Sequence, residues 1–448
     1  MKMSKYSMFL KVGDDEYLLI NSRSGACDLV DTDVVELLRT PSDADPSTLQ
    51  CLKERGHLTA LSPEEEVEEM EALCTEYMKN HQKVYTHVII PTYSCNLECP
   101  YCFLLDLQSR GREWMNTVID SEHVDRIFNT AAALDTVRGK MVLYGGEPLL
   151  LKNKPIVEEI LQKGRRLNYT FSIPTNGVTV PAFIDILTEY KTALQITIDG
   201  PKEVHNKRRI KKDGTGTFDE VIAGVDAAVE AQLPVNLRTN LDKDNIHAFP
   251  KIIDFYVQKG WLDNPHVSIQ FSTVFTPPCS SSDSLFYPGE LHEAVISMAE
   301  KTPEIWKCGF DFRGAELFEN IFVKGVTGAP RFWYCEAVSS MLIYDPFGEI
   351  YVCWEHVGTE STTVGVYYPE LKWNQRYTQW RGRTVFTIPE CRDCIYALFC
   401  GGGCGYEALE RYGTLSKPVC YDYHRVFTTA IPALYRRLKK NEKNAQKE

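Results

Sequence analysis

Short β-type hydrophobic runs alternate with amphipathic helical stretches from Val84 to about Phe275. The β-type runs are THVIIPT, KMVLYGGEP, YTFSIPTNG, LQITIDG, PVNLRTN and HVSIQFSTVF. Helical periodicity between them is clearest in DSEHVDRIFNTAAAL, KPIVEEILQKGRRL and FDEVIAGVDAAVEAQ. Six strand and helix units in this rhythm predict an α/β fold with a parallel sheet, either a barrel or an open sheet. Functional side chains are then expected at the C-terminal ends of the strands.

Residues 1–85 have a different pattern, in which three short alternating runs precede two helical segments. The runs are MFLKV, EYLLINS and ACDLVD, and the helical segments are VVELLRT and STLQCLKERG. This order predicts a small α+β domain with Asp33 and Ser47 as helix N-caps. From Ser62, a Ser cap followed by acidic residues predicts a connecting helix.

The chain changes character again after a Pro/Ser-rich break at residues 276–284. It becomes helical and then rich in cysteine between Cys335 and Cys420, which predicts a separate region held together by metal. We therefore divide the chain into an N-terminal domain (1–85), a central α/β domain (86–315), a cysteine-rich domain (316–435) and a charged, fraying tail (436–448).

Composition and charge narrow the function classes. The 448 residues include 49 Lys and Arg against 61 Asp and Glu, a net charge of −12, which argues against a general nucleic-acid or anionic-membrane binder. No apolar run is long enough for a membrane span, and the N-terminus lacks the apolar core of a signal peptide, so we expect a cytoplasmic protein. In a reducing cytosol, 15 cysteines indicate metal or iron–sulfur ligation rather than disulfides.

Three of these cysteines, Cys95, Cys99 and Cys102, lie in SCNLECPYC directly after the first predicted strand of the sheet. An electron-transfer cluster takes four cysteines, whereas three leave one iron open to an external ligand. The alternative is a zinc loop completed by a distant His.

The spacing Cys-x3-Cys-x-aromatic-Cys resembles the signature of radical S-adenosylmethionine (SAM) enzymes, and motifs further along the chain extend the resemblance. It implies a partial (β/α)6 TIM-type barrel in which a four-iron cluster on the three cysteines binds SAM. The residues that it implicates in SAM binding are Tyr101 at the adenine, Gly145, Gly146, Glu147 and Pro148 at the methionine amine, Thr175, Asn176, Thr197, Arg209, Arg238 and, through its backbone, Ile269. Arg209 and Arg238 are both candidates for the SAM carboxylate, since a guanidinium donates two parallel hydrogen bonds. For Arg238, a structural ion pair is the alternative.

The C-terminal cysteines resemble the seven-cysteine SPASM domain of radical SAM enzymes, which binds two auxiliary four-iron clusters. By that resemblance, a distal cluster uses Cys391, Cys394, Cys400 and Cys420, and a proximal cluster uses Cys335, Cys353 and Cys404. The proximal set is one ligand short. Cys308 or Cys279 completes it, or the iron stays open for a substrate thiolate. Without the N-terminal signature, the same cysteines are also compatible with zinc.

The resemblance implies an enzyme with three four-iron clusters that cleaves SAM to a 5′-deoxyadenosyl radical, using electrons from a flavodoxin- or ferredoxin-type donor. The N-terminal domain resembles the winged-helix-like domains that recognise the leaders of ribosomally made precursor peptides. We therefore expect a peptide maturase that installs an oxidative crosslink, favouring a Cys thioether, with a carbon–carbon link as a variant.

Two alternatives stay open. One is a sulfatase-type maturase that forms formylglycine. Those enzymes have Asp directly after the second SPASM cysteine, whereas this chain has Trp354 and then Glu355, which is our candidate catalytic residue if it substitutes for that Asp. The other alternative is an electron-transfer or zinc-structural protein without catalysis.

Overall fold

A computed structural model provides the coordinates of the chain. It describes residues 1–40, 45–81, 84–105, 107, 111–274, 284–310 and 329–445. Among these residues, no helix combines the length and apolar character that crossing a membrane requires.

The N-terminal domain is built on a three-stranded antiparallel sheet backed by two helices. The strands of this sheet are ordered β2–β3–β4, and a separate pair joins β1 to β5. The elements are β1 (Lys2–Met3), β2 (Ser7–Gly13), β3 (Glu16–Asn21), β4 (Cys27–Val30), α1 (Thr32–Arg39), α2 (Pro46–Glu54) and β5 (Leu58–Thr59). The predicted α+β pattern therefore forms these elements, and β4 lies at one edge of the three-stranded sheet.

Both helix caps differ from the prediction, which placed them at Asp33 and Ser47. Asp31 caps α1 by accepting a 3.0 Å hydrogen bond from the Val34 N–H. Asp45 caps α2, where Pro46 occupies the first turn. In each case the helix begins earlier than the apolar periodicity indicates, because an Asp side chain accepts the first free N–H groups.

The connecting helix α3 (Pro63–His81) begins as predicted at Ser62. The Ser62 hydroxyl accepts a hydrogen bond from the Glu65 N–H at 3.1 Å, and the Glu65 carboxylate accepts one from the Ser62 N–H at 2.6 Å. This reciprocal pair satisfies two otherwise free donors at the helix start.

The central domain contains six consecutive parallel strands, each followed by helical structure, as the alternating pattern predicts. The strands are β6 (Thr86–Thr92), β7 (Lys140–Gly145), β8 (Thr170–Thr175), β9 (Ala193–Thr197), β10 (Val235–Leu241) and β11 (Val267–Thr273). The helices are α4 (Arg112–Met115), α5 (Ser121–Leu134), α6 (Lys154–Arg166), α7 (Ile184–Glu189), α8 (Lys202–Arg208), α9 (Phe218–Glu230) and α10 (Phe249–Gln258). Neighbouring strands pair in sequence order, which brings their C-terminal ends together on one rim.

The chain after β11 continues the same sheet, both at the end of the central domain and in the cysteine-rich domain. Its elements are α11 (Pro288–Ala299), β12 (Gly309–Phe310), α12 (Glu336–Ser339), β13 (Met341–Tyr344), β14 (Glu349–Tyr351), β15 (Gly365–Val366), β16 (Lys372–Trp373), α13 (Gln375–Arg381), α14 (Ala397–Cys400), α15 (Gly405–Tyr412) and α16 (Tyr423–Ala445). Strand β13 pairs in parallel with β6, and β12 pairs with β11 at the other end. Across the described residues the sheet runs from β12 to β16 without closing, which is a partial barrel.

The final segment, predicted as a fraying tail over 436–448, is helical as far as Ala445. It belongs to α16, which packs beside β2 of the N-terminal domain, and Lys439 pairs with Glu16 there. The basic side chains that suggested a solvated tail therefore reach back to an acidic neighbour.

A buried polar network joins β6 to β13 at the rim opposite the strand C-termini. His87 lies 2.9 Å from the Tyr344 hydroxyl and 3.1 Å from Asp135, and the Tyr169 hydroxyl donates to the same carboxylate at 2.8 Å. Since buried polar groups are costly without partners, this network fixes how the C-terminal region attaches to the barrel.

Candidate active site

The loop after β6 brings the three cysteines of the N-terminal motif into one pocket. Cys95, Cys99 and Cys102 all line it, at the rim where the parallel strands end. The loop is held in place by the Glu98 N–H, which donates to the Ile210 carbonyl at 2.7 Å. Three thiols in one pocket fit the ligand set of an iron–sulfur cluster.

The Cys95 sulfur accepts hydrogen bonds from its surroundings. The Leu97 N–H donates to it at 3.4 Å, and Asn176 Nδ2 lies 3.9 Å away. Burial, followed by the charge of Glu147, raises the pKa of the Cys95 thiol to about 12. The thiol is therefore protonated in the iron-free protein, and metal binding releases its proton.

Gly146 allows the turn after β7 to lie against this loop. Its N–H donates to the Thr92 carbonyl at 3.1 Å. A Cβ at this position would lie 2.2 Å from the Ser94 carbonyl oxygen and 2.4 Å from that of Tyr93. Only glycine fits at this position, so the turn can lie this close to the cysteine loop only because residue 146 is a glycine. Gly145, the other predicted glycine, ends β7.

Glu147 is buried and fully engaged with the neighbouring turns. Its carboxylate accepts hydrogen bonds from the Leu149 N–H at 2.9 Å, the Thr175 hydroxyl at 2.8 Å and the Asn176 N–H at 2.7 Å. Burial raises the pKa of Glu147, and these hydrogen bonds act in the opposite direction. The carbonyl of Pro148 accepts from Asn153 Nδ2 at 3.0 Å. The GGEP turn and the end of β8 thus form one unit.

Tyr101 takes part in a hydrogen-bond network next to the cysteines. Its hydroxyl donates to Asp199 and accepts from Arg209 Nη1 at 3.0 Å. The Arg208 guanidinium lies 5.0 Å from the centre of the Tyr101 ring. Arg209 Nε is buried and has no hydrogen-bond partner among the described residues, so it is available to an anionic ligand.

Sequence reasoning missed Asp199 and Arg208 as parts of this network. Asp199 is fully buried and also accepts from the Asn240 N–H at 3.0 Å. Arg208 Nη1 donates to Asp242 at 2.7 Å. The signal lay in the motif that follows the fourth strand, where Asp199 comes two residues after β9 and two consecutive Arg residues mark the end of α8.

Three further predicted residues lie on adjacent strands. Thr197 at the end of β9 pairs with Arg238 on β10. Ile269 on β11 is buried and pairs with Leu237. Arg238 donates to Asn240 Oδ1 at 2.9 Å. The three residues therefore line successive strands of the same wall.

Glu355 lies half-buried in a short helical turn directly after Cys353. Burial raises its pKa to about 7, and the positive charge of Arg238 acts in the opposite direction. Its charge also acts on the thiols of Cys102 and Cys353, which places it within electrostatic reach of both cysteine regions. The aromatic ring of Tyr144 packs 4.3 Å from that of Trp354 and shields this space.

The C-terminal cysteines gather in two sets. Cys394, Cys400 and Cys420 each raise the pKa of Cys391 after the effect of burial. In the same way, burial raises the pKa of Cys353, and Cys404 and Cys335 raise it further. These groupings match the predicted distal and proximal ligand sets, while ligation itself stays a prediction.

A run of glycines shapes the distal set. Gly401, Gly402 and Gly403 all have positive φ angles, of 72°, 83° and 75°. A Cβ on Gly403 would lie 2.0 Å from the Val419 carbonyl oxygen. The N–H groups of Gly402 and Gly403 hydrogen-bond to the Cys400 sulfur and lower its pKa against the effect of burial. Backbone N–H groups that converge on a sulfur suit an iron–sulfur cluster.

Cys308 and Cys279 are the two candidates for the ligand that the proximal set lacks. Cys308 is buried near Tyr256, and its pKa is raised by burial to about 12. Cys279 lies outside the described residues. Over the described parts of the chain, no group of three or more His, Cys, Asp or Glu side chains is arranged to hold a single metal ion.

Comparison with known proteins agrees with this geometry. A cysteine-type anaerobic sulfatase-maturating enzyme of Clostridium perfringens is 26% identical over 369 residues, which cover 76% of this chain and 94% of the relative. The structure of anSMEcpe with bound AdoMet has a TM-score of 0.64 at 18% identity and covers 80% of this chain and 96% of that one. Streptococcus suis SuiB bound to its precursor peptide SuiA has a TM-score of 0.56 at 15% identity and covers 93% of this chain and 98% of that one.

The family comparison concerns the part of the chain that carries the cysteine loop, the GGEP turn and the first five parallel strands. Residues 89–256 match the model of the radical SAM superfamily. Residues 89–256 are therefore a radical SAM domain.

Proposed function

We propose that this chain is a cytoplasmic radical SAM maturase that oxidises a ribosomally made precursor peptide and installs an intramolecular crosslink, favouring a Cys thioether. The observation that carries the proposal is that the half-buried Glu355 interacts electrostatically with Arg238 and with the thiols of both Cys102 and Cys353. A substrate between these two cysteine regions meets a hydrogen-atom acceptor on one side and an electron acceptor on the other.

The residues of the first pocket fit SAM and its cluster. Cys95, Cys99 and Cys102 would hold the cluster, and Arg209 would bind the SAM carboxylate through its free Nε. When bound, this cofactor pair supplies a 5′-deoxyadenosyl radical that removes one hydrogen atom from an unactivated carbon. The packed, half-buried rings of Tyr144 and Trp354 would reduce the access of water to that step.

One electron and one proton must then leave the substrate to complete a two-electron oxidation. The Glu355 carboxylate takes the proton, and Arg238 stabilises the charged form of Glu355 beforehand. The electron leaves toward the site built from Cys335, Cys353 and Cys404. In a thioether crosslink, the bond between sulfur and carbon replaces one S–H and one C–H bond.

The three-cysteine composition of the proximal set favours the thioether. A cluster held by Cys335, Cys353 and Cys404 has one position for a soft ligand, and a substrate thiolate suits iron there. Held in this way, the donor sulfur would be next to the carbon that Glu355 faces.

Peptide capture is supported by the N-terminal sheet. Strand β4 forms an edge of the three-stranded sheet, and Leu29 on it is 52% exposed. An exposed edge accepts an extended peptide by adding a strand. SuiB, which is similar to this chain along 93% of its length, has been crystallised with a precursor peptide. The electron donor in this proposal is a flavodoxin- or ferredoxin-type protein.

Formylglycine formation is the second candidate. It is favoured by the sulfatase-maturating relatives, and by Glu355, which is two positions after the second C-terminal cysteine and interacts electrostatically with Arg238. In this reaction a serine side chain becomes an aldehyde by loss of the same hydrogen atom, proton and electron. A cysteine side chain becomes a thioaldehyde by the same loss, and water then converts it to the aldehyde with release of hydrogen sulfide.

The test is anaerobic reconstitution with iron and sulfide, followed by incubation with SAM, a strong reductant and a short Cys-containing peptide encoded beside the gene. A thioether loses two hydrogen atoms, keeps its sulfur and no longer reacts with iodoacetamide. A carbon–carbon crosslink loses the same mass but leaves the thiol reactive, and formylglycine reacts with a hydrazide. Failure to form 5′-deoxyadenosine would overturn the enzyme assignment.

The variant Glu355→Gln separates SAM cleavage from the later formation of product. We expect the variant to cleave SAM at the wild-type rate but to form at least tenfold less product, since the proton acceptor is missing. Glu360→Gln, an exposed acid on the same segment, is the control and should not change either rate. Full product formation by Glu355→Gln would contradict its role.

A further inference from the structure

Arg383 is a buried cation at the centre of the C-terminal region. It is 3% exposed and lies shortly after α13. Its Nη2 donates to the carbonyls of Gly402 at 3.0 Å and Gly403 at 3.2 Å. Its Nη1 donates to the carbonyls of Leu415 and Lys417, the latter at 3.0 Å. The guanidinium thus clamps the glycine turn between Cys400 and Cys404 to the segment that leads to Cys420.

The charge of Arg383 is not balanced by a carboxylate in the part of the chain that the structure describes. No Asp or Glu of that part lies within ion-pair distance of it, and its buried Nε has no hydrogen-bond partner there. A buried cation without an anion is strongly unfavourable. The guanidinium therefore requires a negative charge nearby.

The groups near Arg383 that become negative when they bind iron are cysteines from both sets. Burial lowers the pKa of Arg383, while Cys404, Cys391 and Cys335 act in the opposite direction. Arg383 in turn favours the thiolate of Cys391. Cys391 belongs to the distal set, and Cys335 and Cys404 belong to the proximal set. One guanidinium thus faces both predicted cluster sites.

We propose that Arg383 is the shared counter-cation of the two auxiliary clusters and raises the reduction potential of both. Each cluster, with its cysteine thiolates, gains one negative charge on reduction, and a nearby cation stabilises that charge. The Nε group, which has no partner among the described residues, is free to donate a hydrogen bond to a cluster, and such a bond would act in the same direction. This inference rests on the proposed function, because it takes the auxiliary sites to hold iron–sulfur clusters.

The chain provides a matched control in Arg381, two residues earlier. Arg381 is 6% exposed and donates to the carbonyls of Ala337 at 3.3 Å and Met341 at 3.1 Å. Its guanidinium lies over the rings of Tyr85 and Tyr377, at 5.8 and 5.0 Å. It resembles Arg383 in burial and in its bonds to backbone carbonyls, but it packs against rings and strand backbone.

The test is a redox titration of the reconstituted full-length protein, followed by electron paramagnetic resonance. Cys95, Cys99 and Cys102 are replaced by Ala in every sample, so that the remaining signals come from the auxiliary clusters. In Arg383→Gln, we expect both potentials to shift to more negative values with iron retained. Arg383→Lys should shift them less, because it keeps the charge, and Arg381→Gln should leave both unchanged.

Unchanged potentials in Arg383→Gln would overturn the proposal, and a shift of one cluster alone would overturn the shared role. If Arg383→Gln binds no auxiliary iron, the iron content of Arg383→Lys decides between a requirement for charge and a requirement for the carbonyl clamp. Recovery of iron by Lys supports a charge requirement, and no recovery shows that only the carbonyl clamp matters. An iron count separates these results from failure of the proposed function, since protein with all arginines intact would then bind no auxiliary iron.

Discussion

The backbone N–H of Asn176 donates a 2.7 Å hydrogen bond to Oε2 of Glu147, which ties the end of β8 to the turn after β7. The other oxygen of the same carboxylate accepts from the Thr175 hydroxyl and the Leu149 N–H. Since Asn176 also reaches the Cys95 sulfur, a single buried acid fixes two turns that border the cysteine pocket.

Glu147→Gln should destabilise the fold. One of the two carboxylate oxygens becomes an NH2 group, which faces a donor and leaves a buried N–H or O–H without an acceptor. We expect the free energy of unfolding to fall by about 1–3 kcal/mol. Anaerobic urea denaturation of the reconstituted protein measures it, with Glu158→Gln on the exposed face of α6 as control. Equal midpoints for the two variants would show that the hydrogen bonds at Glu147 contribute nothing net.

Gly146→Ala should disturb the first cluster selectively. The new methyl group would overlap the carbonyl oxygens of Ser94 and Tyr93, so the cysteine loop must move. We expect SAM cleavage to fall at least tenfold, which corresponds to about 1.4 kcal/mol in the barrier. Iron on the C-terminal cysteines should be retained, as electron paramagnetic resonance will show. Gly289→Ala, whose Cβ would meet no atom closer than Val426 Cγ2 at 3.4 Å, should behave as wild type.

Asp345 should make stability depend on pH. It is fully buried, and its carboxylate accepts from the N–H groups of Phe347 at 2.9 Å and Glu349 at 3.0 Å and from the Tyr93 hydroxyl at 3.2 Å. Burial raises its pKa from 3.8 to about 7. An acid whose folded pKa is raised costs stability as pH rises from its unfolded to its folded pKa, here from about 4 to about 7.

Asp345→Asn removes this penalty while keeping the acceptor for the two N–H groups. At 1.4 kcal/mol per pKa unit, the variant should gain about 2–3 kcal/mol over wild type between pH 5 and pH 8. Urea midpoints at the two pH values give the difference, and other titrating groups cancel because they are common to both proteins. The exposed Asp185→Asn is the control. If the difference in stability between Asp345→Asn and wild type is the same at both pH values, Asp345 does not titrate in this range.

Local patterns predicted the parts of the fold that local physics determines. The six parallel strands follow from short apolar runs bounded by turns, and the cap at Ser62 follows from a Ser that precedes a run of acidic residues. The predicted N-caps of α1 and α2 were wrong because each helix start offers two good capping residues. These are Asp31 and Asp33 for α1, and Asp45 and Ser47 for α2. Only the backbone path decides which side chain meets the free N–H groups.

Long-range relationships account for what the sequence did not predict. The pairing of β13 with β6 joins segments about 250 residues apart, and the short apolar run MLIY contains no information about its partner. Asp199 likewise gains its role from Tyr101 and Asn240, which are distant in sequence. Cysteine spacing was more informative, because a cluster constrains which cysteines must meet.

The cysteine that completes the proximal set can be identified by replacing candidates one at a time. Cys308 lies near Tyr256, and none of the effects on the pKa of Cys353 comes from it. We expect Cys308→Ser to keep the iron content of wild type, whereas Cys353→Ser should lose about four iron atoms. Iron and sulfide assays on the reconstituted proteins measure both. Loss of iron in Cys308→Ser would remove the open position, and with it the argument that a substrate thiolate binds there.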